Sequence, residues 1–234
     1  AMQHLALPRT GPFAMEALSC CRAVQTLRVE GDCLGVSDFA AISLLPRLQS
    51  LALLACCIDP DDDDVEDDGE PPLLPQTPSF LSGLTFLCLA DSPMHPTTTQ
   101  LPALRKVQLA RLESGKAEPS GWALPGGPWL RSLEVLHIQC ADLGSIEEVL
   151  RQATRLTSLK LERCLWLQFK QHELPLLLQL PLKELVVNKH LDGVDFDPPE
   201  ELWDEDMLWV AEELRKAFEL RGPSVHLDIC IGDL

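Results

Sequence analysis

The sequence has no long uninterrupted run of apolar residues. The longest candidate, Leu44 to Ile58, is broken by Arg47 and by Gln49–Ser50, whereas a membrane-spanning helix needs about 18 or more apolar residues in succession. The opening residues Ala1 to Phe13 also lack the charged start and apolar run of a secretory signal peptide. We therefore predict no membrane association, and we expect an intracellular protein.

Basic residues are scarce. Lysine and arginine number 19 against 36 aspartate and glutamate residues, which gives a net charge of −17 and an isoelectric point near 4.6. Because attraction to phosphates needs a basic surface, this balance argues against a general nucleic-acid binder. Solubility alone explains much of the acidity.

Motifs for catalysis and metal binding are missing as well. The nine cysteines form no C-x-x-C pair, and the six histidines form no ligand pair at helical spacing. No glycine-rich phosphate loop follows a strand pattern, and no G-x-S-x-G motif occurs. We therefore predict a protein that is not an enzyme, with no catalytic residue, cofactor or metal. Most cysteines lie in or beside predicted strands, as small buried hydrophobes of a reducing compartment, cytoplasmic or nuclear.

What the sequence does contain is a repeated pattern, clearest at Leu156 to Trp166 (LTSLKLERCLW). Its residues follow the spacing Leu-x-x-Leu-x-Leu-x-x-Cys-x-Leu, with Cys164 in the cysteine position. Because side chains alternate between the two faces of a strand, Leu159 and Leu161 point inward together. The first and last residues of the segment fill the bends on either side, and the intervening residues face solvent.

The same pattern predicts seven short strands. Their apolar positions are Val24/Leu27/Val29, Leu48/Leu51/Leu53, Leu84/Leu87/Leu89, Leu104/Val107/Leu109, Leu133/Leu136/Ile138, Leu156/Leu159/Leu161 and Leu182/Leu185/Val187. Successive first residues are 24, 36, 20, 29, 23 and 26 positions apart. The one long step contains residues 60–78, where repelling acids and five prolines indicate an acidic insertion. This insertion is either a solvated loop or a docking or cation-attracting segment.

These tandem matches resemble leucine-rich-repeat proteins, over residues 24–187 and onward to the end. The resemblance implies an α/β solenoid, with a curved parallel sheet on the concave side and helices and irregular turns on the convex side. Cys56 and Cys164 occupy the cysteine position of the cysteine-containing subtype, which is similar to the repeat arrays of F-box substrate receptors in ubiquitin ligases. Nothing before Val24 resembles an F-box.

Two helices are predicted in the second half of the chain. Ser145 and Glu148 have the spacing of a capping box, in which the hydroxyl and the carboxylate each satisfy a free amide at a helix start. The segment Asp204 to Leu220 has acids in its first turn and bases near its end, which complements the dipole of a helix.

An alternating strand, Val225 to Ile231, follows the second of these helices. Open ends of a solenoid expose a core, so we interpret this helix and strand as a C-terminal cap. The predicted organisation is an N-terminal flank or cap at 1–23, about seven repeats at 24–191 and a C-terminal cap at 192–234.

Basic residues concentrate on one predicted face, because side chains at equal template positions stack in columns about 4.8 Å apart from repeat to repeat. Arg28 lies on this face, and the predicted partner-binding set is Arg105, Lys106, Gln108, Arg111, His137, Lys160, Arg163, Lys183 and Lys189. Guanidinium groups there can pair with carboxylates of an acidic peptide or protein surface. The alternative is that Glu134, Glu162 and Glu184 pair with these bases and leave a solvated surface.

The sequence thus predicts a non-enzymatic recognition module that binds a protein or peptide of acidic character on the concave sheet. The alternative function is the substrate-recognition part of an F-box type ubiquitin-ligase subunit, with the F-box outside this segment. Neither nucleic acid nor a membrane is expected as a partner.

Overall fold

The structure is a computed structural model, and the residues it describes are 2–8, 18, 20–31, 33–34, 41–42, 44–54, 57–58, 83–90, 101, 103–110, 122–124, 126–139, 143–164, 167, 169–188, 205–221 and 226–230. Cys56, Arg111, Lys189 and the insertion 60–78 lie outside the described residues. The chain divides into two compact units. The first comprises residues 1–116 and 127–129, and the second comprises residues 117–126 and 130–234.

The first unit is built from short parallel strands. They are β1 His4–Pro8, β2 Thr26–Glu30, β3 Cys33–Leu34, β4 Ser50–Leu54, β5 Cys57–Ile58, β6 Phe86–Ala90 and β7 Lys106–Ala110. Strands β1, β2, β4, β6 and β7 pair in that order, and each pair is parallel and in register along the whole strand. Strands β3 and β5 form a separate parallel pair.

The second unit has the same kind of parallel strands, and its described residues also form three α-helices. Its strands are β8 Trp122–Ala123, β9 Val135–Gln139, β10 Leu143–Ser145, β11 Ser158–Glu162, β12 Glu184–Asn188 and β13 His226–Cys230. Strands β9, β11, β12 and β13 pair in that order, all parallel, and β10 pairs with β8. The α-helices are α1 Glu147–Gln152, α2 Leu174–Gln179 and α3 Glu205–Arg221. One 3-10 helix is Gln171–Glu173, and another, Pro128–Ser132, contains residues assigned to both units.

Burial alternates along the strands as the repeat pattern predicts. In β4, β9, β11 and β12 the second and fourth residues are buried, whereas the first, third and fifth are partly exposed. The first template residue of every repeat is buried too: Val24, Leu48, Leu84, Leu104, Leu133, Leu156 and Leu182. The predicted seven strands are therefore confirmed, and their apolar positions form the core.

Before six of the described strands, one backbone carbonyl accepts two amides from the next repeat. In the first unit, the amides of Gln49 and Ser50 both donate to the Gln25 carbonyl, at 2.8 and 3.0 Å. The same pair of bonds recurs at the carbonyls of Gln3, Gln49 and Thr85. Because backbone groups removed from water must be paired, this shared acceptor fixes where each strand begins relative to its neighbour.

The second unit uses the same device. The Glu134 carbonyl accepts the amides of Thr157 and Ser158 at 2.8 and 3.1 Å, and the Thr157 hydroxyl donates to it as well, at 3.0 Å. The Thr157 carbonyl in turn accepts the amides of Lys183 and Glu184. The starts of these strands are therefore held by the backbone, largely independent of which side chains they carry.

Helix α1 begins later than the sequence predicts. Its N-cap is Ile146, which makes no side-chain capping bond. The Ser145 hydroxyl accepts the Glu147 amide at 3.3 Å, while the Glu148 carboxylate accepts a bond from Gln152 Nε2 at 2.6 Å. The predicted capping box is therefore wrong, because Ser145 is the last residue of β10 and Glu148 points along the helix.

Helix α3 and strand β13 lie where the sequence places them. The helix buries one stripe, Val210, Ala211, Leu214 and Phe218, and β13 pairs with β12. Their role as a C-terminal cap stays a prediction. Among the described residues, no helix combines the length and apolarity that crossing a bilayer requires.

Several elements are not predicted from the sequence, among them strand β1 and helix α2. Strand β1 lies in the segment interpreted as a flank, where Leu5 and Leu7 are only partly buried and give a weak pattern. Helix α2 lies in the connection after β11 and has Pro175 in its first turn, where the fixed φ of proline suits a helix. Both elements are short, and their placement depends on partners from neighbouring repeats.

Replacing Leu159 with alanine is expected to lower the free energy of unfolding by roughly 2 to 5 kcal/mol. Leu159 is fully buried on β11, so truncation leaves a cavity beside its register partners Leu136 and Leu185. Urea unfolding measures the loss. Val186→Ala on the outer face of β12 is the control, and it should lower the free energy of unfolding clearly less. Equal urea midpoints for Leu159→Ala and the parent chain would show that Leu159 does not face the core.

Candidate recognition surface

The outer face of the first unit has a closely packed centre of small side chains. Ala52 and Cys88 are register partners in the middle of β4 and β6, and Gln108 takes the same position on β7. These side chains lie on the face opposite the buried leucines, since neighbours in a strand alternate. Cys88 is nonetheless only 9% exposed. The centre of the face is thus apolar on β4 and β6, where the middle positions hold small side chains, and the same position holds Arg28 on β2 and Gln108 on β7.

Two cations border this centre. Arg28 on β2 is the register partner of Ala52, and the Lys106 ammonium on β7 lies 5.4 Å from the centroid of the Phe86 ring. Burial raises the pKa of the Cys88 thiol, while the positive charges of Arg28 and Lys106 act in the opposite direction. The thiol is therefore kept in its protonated, apolar form although it lies in the field of both cations.

Acidic side chains are few on this face. Glu30 on β2 accepts a bond from the Arg28 guanidinium at 3.2 Å, and both side chains are more than half exposed. Such a surface pair contributes little and is easily exchanged for another partner. The outer positions of β4, β6 and β7 carry no carboxylate. The face therefore combines apolar area with an excess of positive charge.

The outer face of the second unit is a network of paired charges. Glu184 lies with Oε1 2.7 Å from Lys160 Nζ, and its Oε2 accepts the Ser158 hydroxyl at 2.6 Å. His137 Nε2 lies 3.0 Å from Glu162 Oε2. Hydrogen bonds from Lys160 and then from Ser158 lower the pKa of the Glu184 carboxyl. Glu162 and Glu184, two of the acids in the alternative interpretation, thus pair with His137 and Lys160 of the predicted binding set, whose role in binding stays a prediction.

The predicted columns are present within each unit. His137, Lys160 and Val186 are register partners across β9, β11 and β12, as the fifth template position requires. In the first unit Gln108 stands beside Cys88, and Lys106 beside Phe86. In the earlier repeats, the fifth template position holds Arg28, Ala52 and Cys88. The small residues at this position could have located the apolar centre from the sequence, whereas a search for charged residues misses it.

Arg105 and Lys183 have a structural role through their backbones. The Arg105 amide donates to the Thr85 carbonyl, and the Lys183 amide donates to the Thr157 carbonyl while its own carbonyl accepts the His226 amide. Both side chains are exposed. Their prediction as binding residues stays untested, but substitutions that keep the backbone unchanged should leave the register intact.

Arg163 adopts a left-handed backbone conformation, with φ 57°, and its amide donates to the Asn188 carbonyl at 2.6 Å. Gly31 occupies the equivalent place after β2, with φ 72°, and its amide donates to the Leu54 carbonyl at 2.8 Å. The turn that leaves these strands therefore requires a positive φ, which costs a residue with a side chain about 1 to 2 kcal/mol.

Arg163→Gly is expected to leave the free energy of unfolding unchanged or to raise it by up to about 1 kcal/mol. Relief of the strained φ offsets the greater freedom of glycine in the unfolded chain. Urea unfolding of Arg163→Gly and Arg163→Val measures the effect, and the valine variant should be the less stable of the two. Equal losses in both variants would show that the arginine side chain, and not the backbone conformation, matters at this position.

Glu184→Gln is expected to reduce stability at pH 7 by about 1 kcal/mol or less, and the reduction should shrink as the pH falls below about 4.5. The folded-state pKa of Glu184 is lowered, so its contribution is present above the ordinary carboxyl pKa and is lost as the pH falls through the folded value. Urea unfolding at several pH values measures it. Glu219→Gln on the exposed side of α3 is the control. If the difference in unfolding free energy between Glu184→Gln and the parent chain stays the same from pH 7 to pH 3, the contacts of Glu184 with Lys160 and Ser158 are contradicted.

No protein-family model and no curated protein matches the chain. Among solved structures, the chain is similar to the crystal structure of a TLR13–ssRNA13 complex, with a TM-score of 0.51 and 18% sequence identity. The similarity covers 80% of this chain and 28% of the TLR13 chain, so this chain spans a little over a quarter of that length. TLR13 is a leucine-rich-repeat protein, and the parallel strands of both units agree with it. The chain therefore has a leucine-rich-repeat-like α/β fold.

Proposed function

We propose that this leucine-rich-repeat-like chain is a non-enzymatic recognition module that binds another protein through the outer face of its first unit. The fold supports a binding role, because inner side chains form the core while outer side chains are available to a partner. The observation that carries the proposal is the outer face of β2, β4, β6 and β7. It combines a packed centre of small residues with two bordering cations, Arg28 and Lys106.

The partner that fits this face is a protein segment with both apolar and acidic side chains. Covering the partly exposed Ala52 and Phe86 removes apolar area from water, which is worth about 25 cal/mol for each Å² buried. Carboxylates of the partner can then pair with Arg28 and Lys106, which supply direction and specificity. The proposed partner thus keeps the acidic character predicted from the sequence and has apolar side chains as well.

Protein is favoured over RNA as the partner. The TLR13 structure contains a single-stranded RNA, so RNA is the other class to consider. A chain with a net charge of −17 repels a phosphate backbone over most of its surface. Two bordering cations on an apolar face suit a few carboxylates better than a continuous row of phosphates.

We also propose an intracellular location. Among the described cysteines, Cys20, Cys21, Cys88 and Cys164 form no disulfide. Cysteines that stay reduced, including the buried Cys88 and Cys164, are typical of a reducing compartment. The cytoplasm and the nucleus both provide one.

A narrower proposal is that the module is the substrate-recognition part of an F-box type ubiquitin-ligase subunit. Cys164 supports the repeat subtype on which this proposal depends: it is 1% exposed, and its thiol donates to the Glu162 carbonyl with a distance of 3.4 Å. If the proposal holds, the partner captured by this chain becomes more abundant in cells from which the protein is depleted. Unchanged partner abundance would leave a recognition role without a role in degradation.

Charge reversal of the bordering cations should abolish partner binding. The variant Arg28→Glu/Lys106→Glu is compared with the native chain in affinity capture from a eukaryotic cell extract treated with ribonuclease. We expect one defined protein to be retained by the native chain and to be lost, by at least about tenfold, with the variant, because two charge-assisted contacts become repulsive. Thermal unfolding checks that both chains fold.

The matched control is Arg22→Glu/Arg47→Glu. These two residues are exposed, lie in the same unit outside the strands, and change the net charge by the same amount. Retention of the partner by the control supports the outer face as the site. Equal capture by the Arg28/Lys106 variant would contradict the proposal, and a partner that is lost on ribonuclease treatment would indicate RNA.

A further inference from the structure

Three side chains with metal-ligand chemistry come together in the second unit, in the connections between its strands. Glu147 is the first residue of α1, and His172 and Glu173 belong to the 3-10 helix that precedes α2. One ligand atom from each residue lies within 4.8 Å of the other two. The residues come from connections that follow two different strands, β10 and β11, so their meeting is a product of the fold and not of local sequence.

The spacing of these atoms is close to that of a bound metal ion. Ligands that lie 2.0 to 2.1 Å from Zn²⁺ in tetrahedral geometry are separated by about 3.3 to 3.4 Å from one another. His172 Nε2 lies 3.6 Å from Glu147 Oε1, so these two atoms need to move by only a few tenths of an ångström. The ligand atom of Glu173 lies within 4.8 Å of the other two, and the more exposed side chains of Glu147 and His172 can close the remaining gap of about an ångström by rotating.

Glu173 is the unusual member of the group. Its side chain is 4% exposed, and it is the one buried charged residue among the described residues. The Lys170 amide donates to Glu173 Oε2 at 2.8 Å, which holds the carboxylate in a fixed orientation. In metal sites, the carboxylate ligands are themselves held in orientation by hydrogen bonds from neighbouring groups. The bond from the Lys170 amide to Glu173 is a contact of this kind.

Arg151 is the cation that currently neutralises the group. Its guanidinium pairs with the Glu147 carboxylate one helical turn earlier, at 2.5 Å, and its side chain is more than half exposed. A surface pair of this kind is weak, and the arginine can swing into water when a stronger cation takes its place. Two carboxylates and one imidazole suit a borderline ion such as Zn²⁺, with a fourth position open to water.

We propose that Glu147, His172 and Glu173 form a zinc site that links helix α1 to the 3-10 helix before α2. The site lies apart from the strands, so its role is to join two successive connections of the second unit. The sequence shows no histidine pair at helical spacing because the ligands are 25 residues apart and only one of them is a histidine. The site is independent of the proposed protein-binding function.

The test is a titration of the full chain with Zn²⁺ by isothermal calorimetry after removal of metals with a chelator, together with thermal unfolding. We expect one Zn²⁺ per chain and a higher unfolding temperature with the metal. His172→Ala should weaken binding by at least about tenfold, since even contacts behind a ligand contribute that much. His172 is largely exposed, so the variant should fold.

Two further variants separate this site from other zinc-binding groups. Arg151→Ala removes the competing cation and should tighten Zn²⁺ binding by about two- to fivefold, the factor that corresponds to a surface ion pair. His226→Ala, at an exposed histidine of β13, should bind as the native chain does. Native Zn²⁺ affinity in His172→Ala, the absence of saturable binding, or a thiolate charge-transfer band with Co²⁺ would each overturn the proposal.

Discussion

A single backbone carbonyl before each of six described strands sets the register on which the rest of the structure depends. In each unit it accepts the amides of two consecutive residues from the next repeat, as the Gln25 carbonyl does for Gln49 and Ser50 and the Glu134 carbonyl does for Thr157 and Ser158. Because side chains alternate along a strand, a shift of one residue would exchange the inner and outer sets. These bonds involve no side-chain atoms, so the repeats can vary in sequence while the strands stay aligned.

The fixed register separates stability from recognition. The inner positions hold leucine, valine and isoleucine and are buried in every repeat, whereas the outer positions differ from repeat to repeat. In the first unit the outer positions give an apolar centre with Arg28 and Lys106 beside it, and in the second they give the Lys160–Glu184 and His137–Glu162 pairs. The same framework therefore carries an apolar centre with bordering cations in one unit and paired polar side chains in the other.

Much of the fold is predictable from the sequence, because the inner leucines obey one spacing and the shared register repeats it. Strand β1 is not predicted, because its leucines are only partly buried and it pairs with β2. The candidate surface is predicted in part: Lys106 and Gln108 lie on it, but charge alone does not show that Glu184 pairs with Lys160 or that Cys88 is buried. Those features depend on distances between strands. The cluster of Glu147, His172 and Glu173 is hidden for the same reason.

The separation of inner and outer positions is tested most directly by an aspartate scan. Each of the ten residues of β4 and β11 is replaced singly with aspartate, and the urea midpoint of unfolding is measured for each variant. The structure predicts that the midpoint falls steeply at the second and fourth residues of both strands and changes least at the first, third and fifth. A loss of stability without this alternation would contradict the register from which the core and the candidate recognition surface both follow.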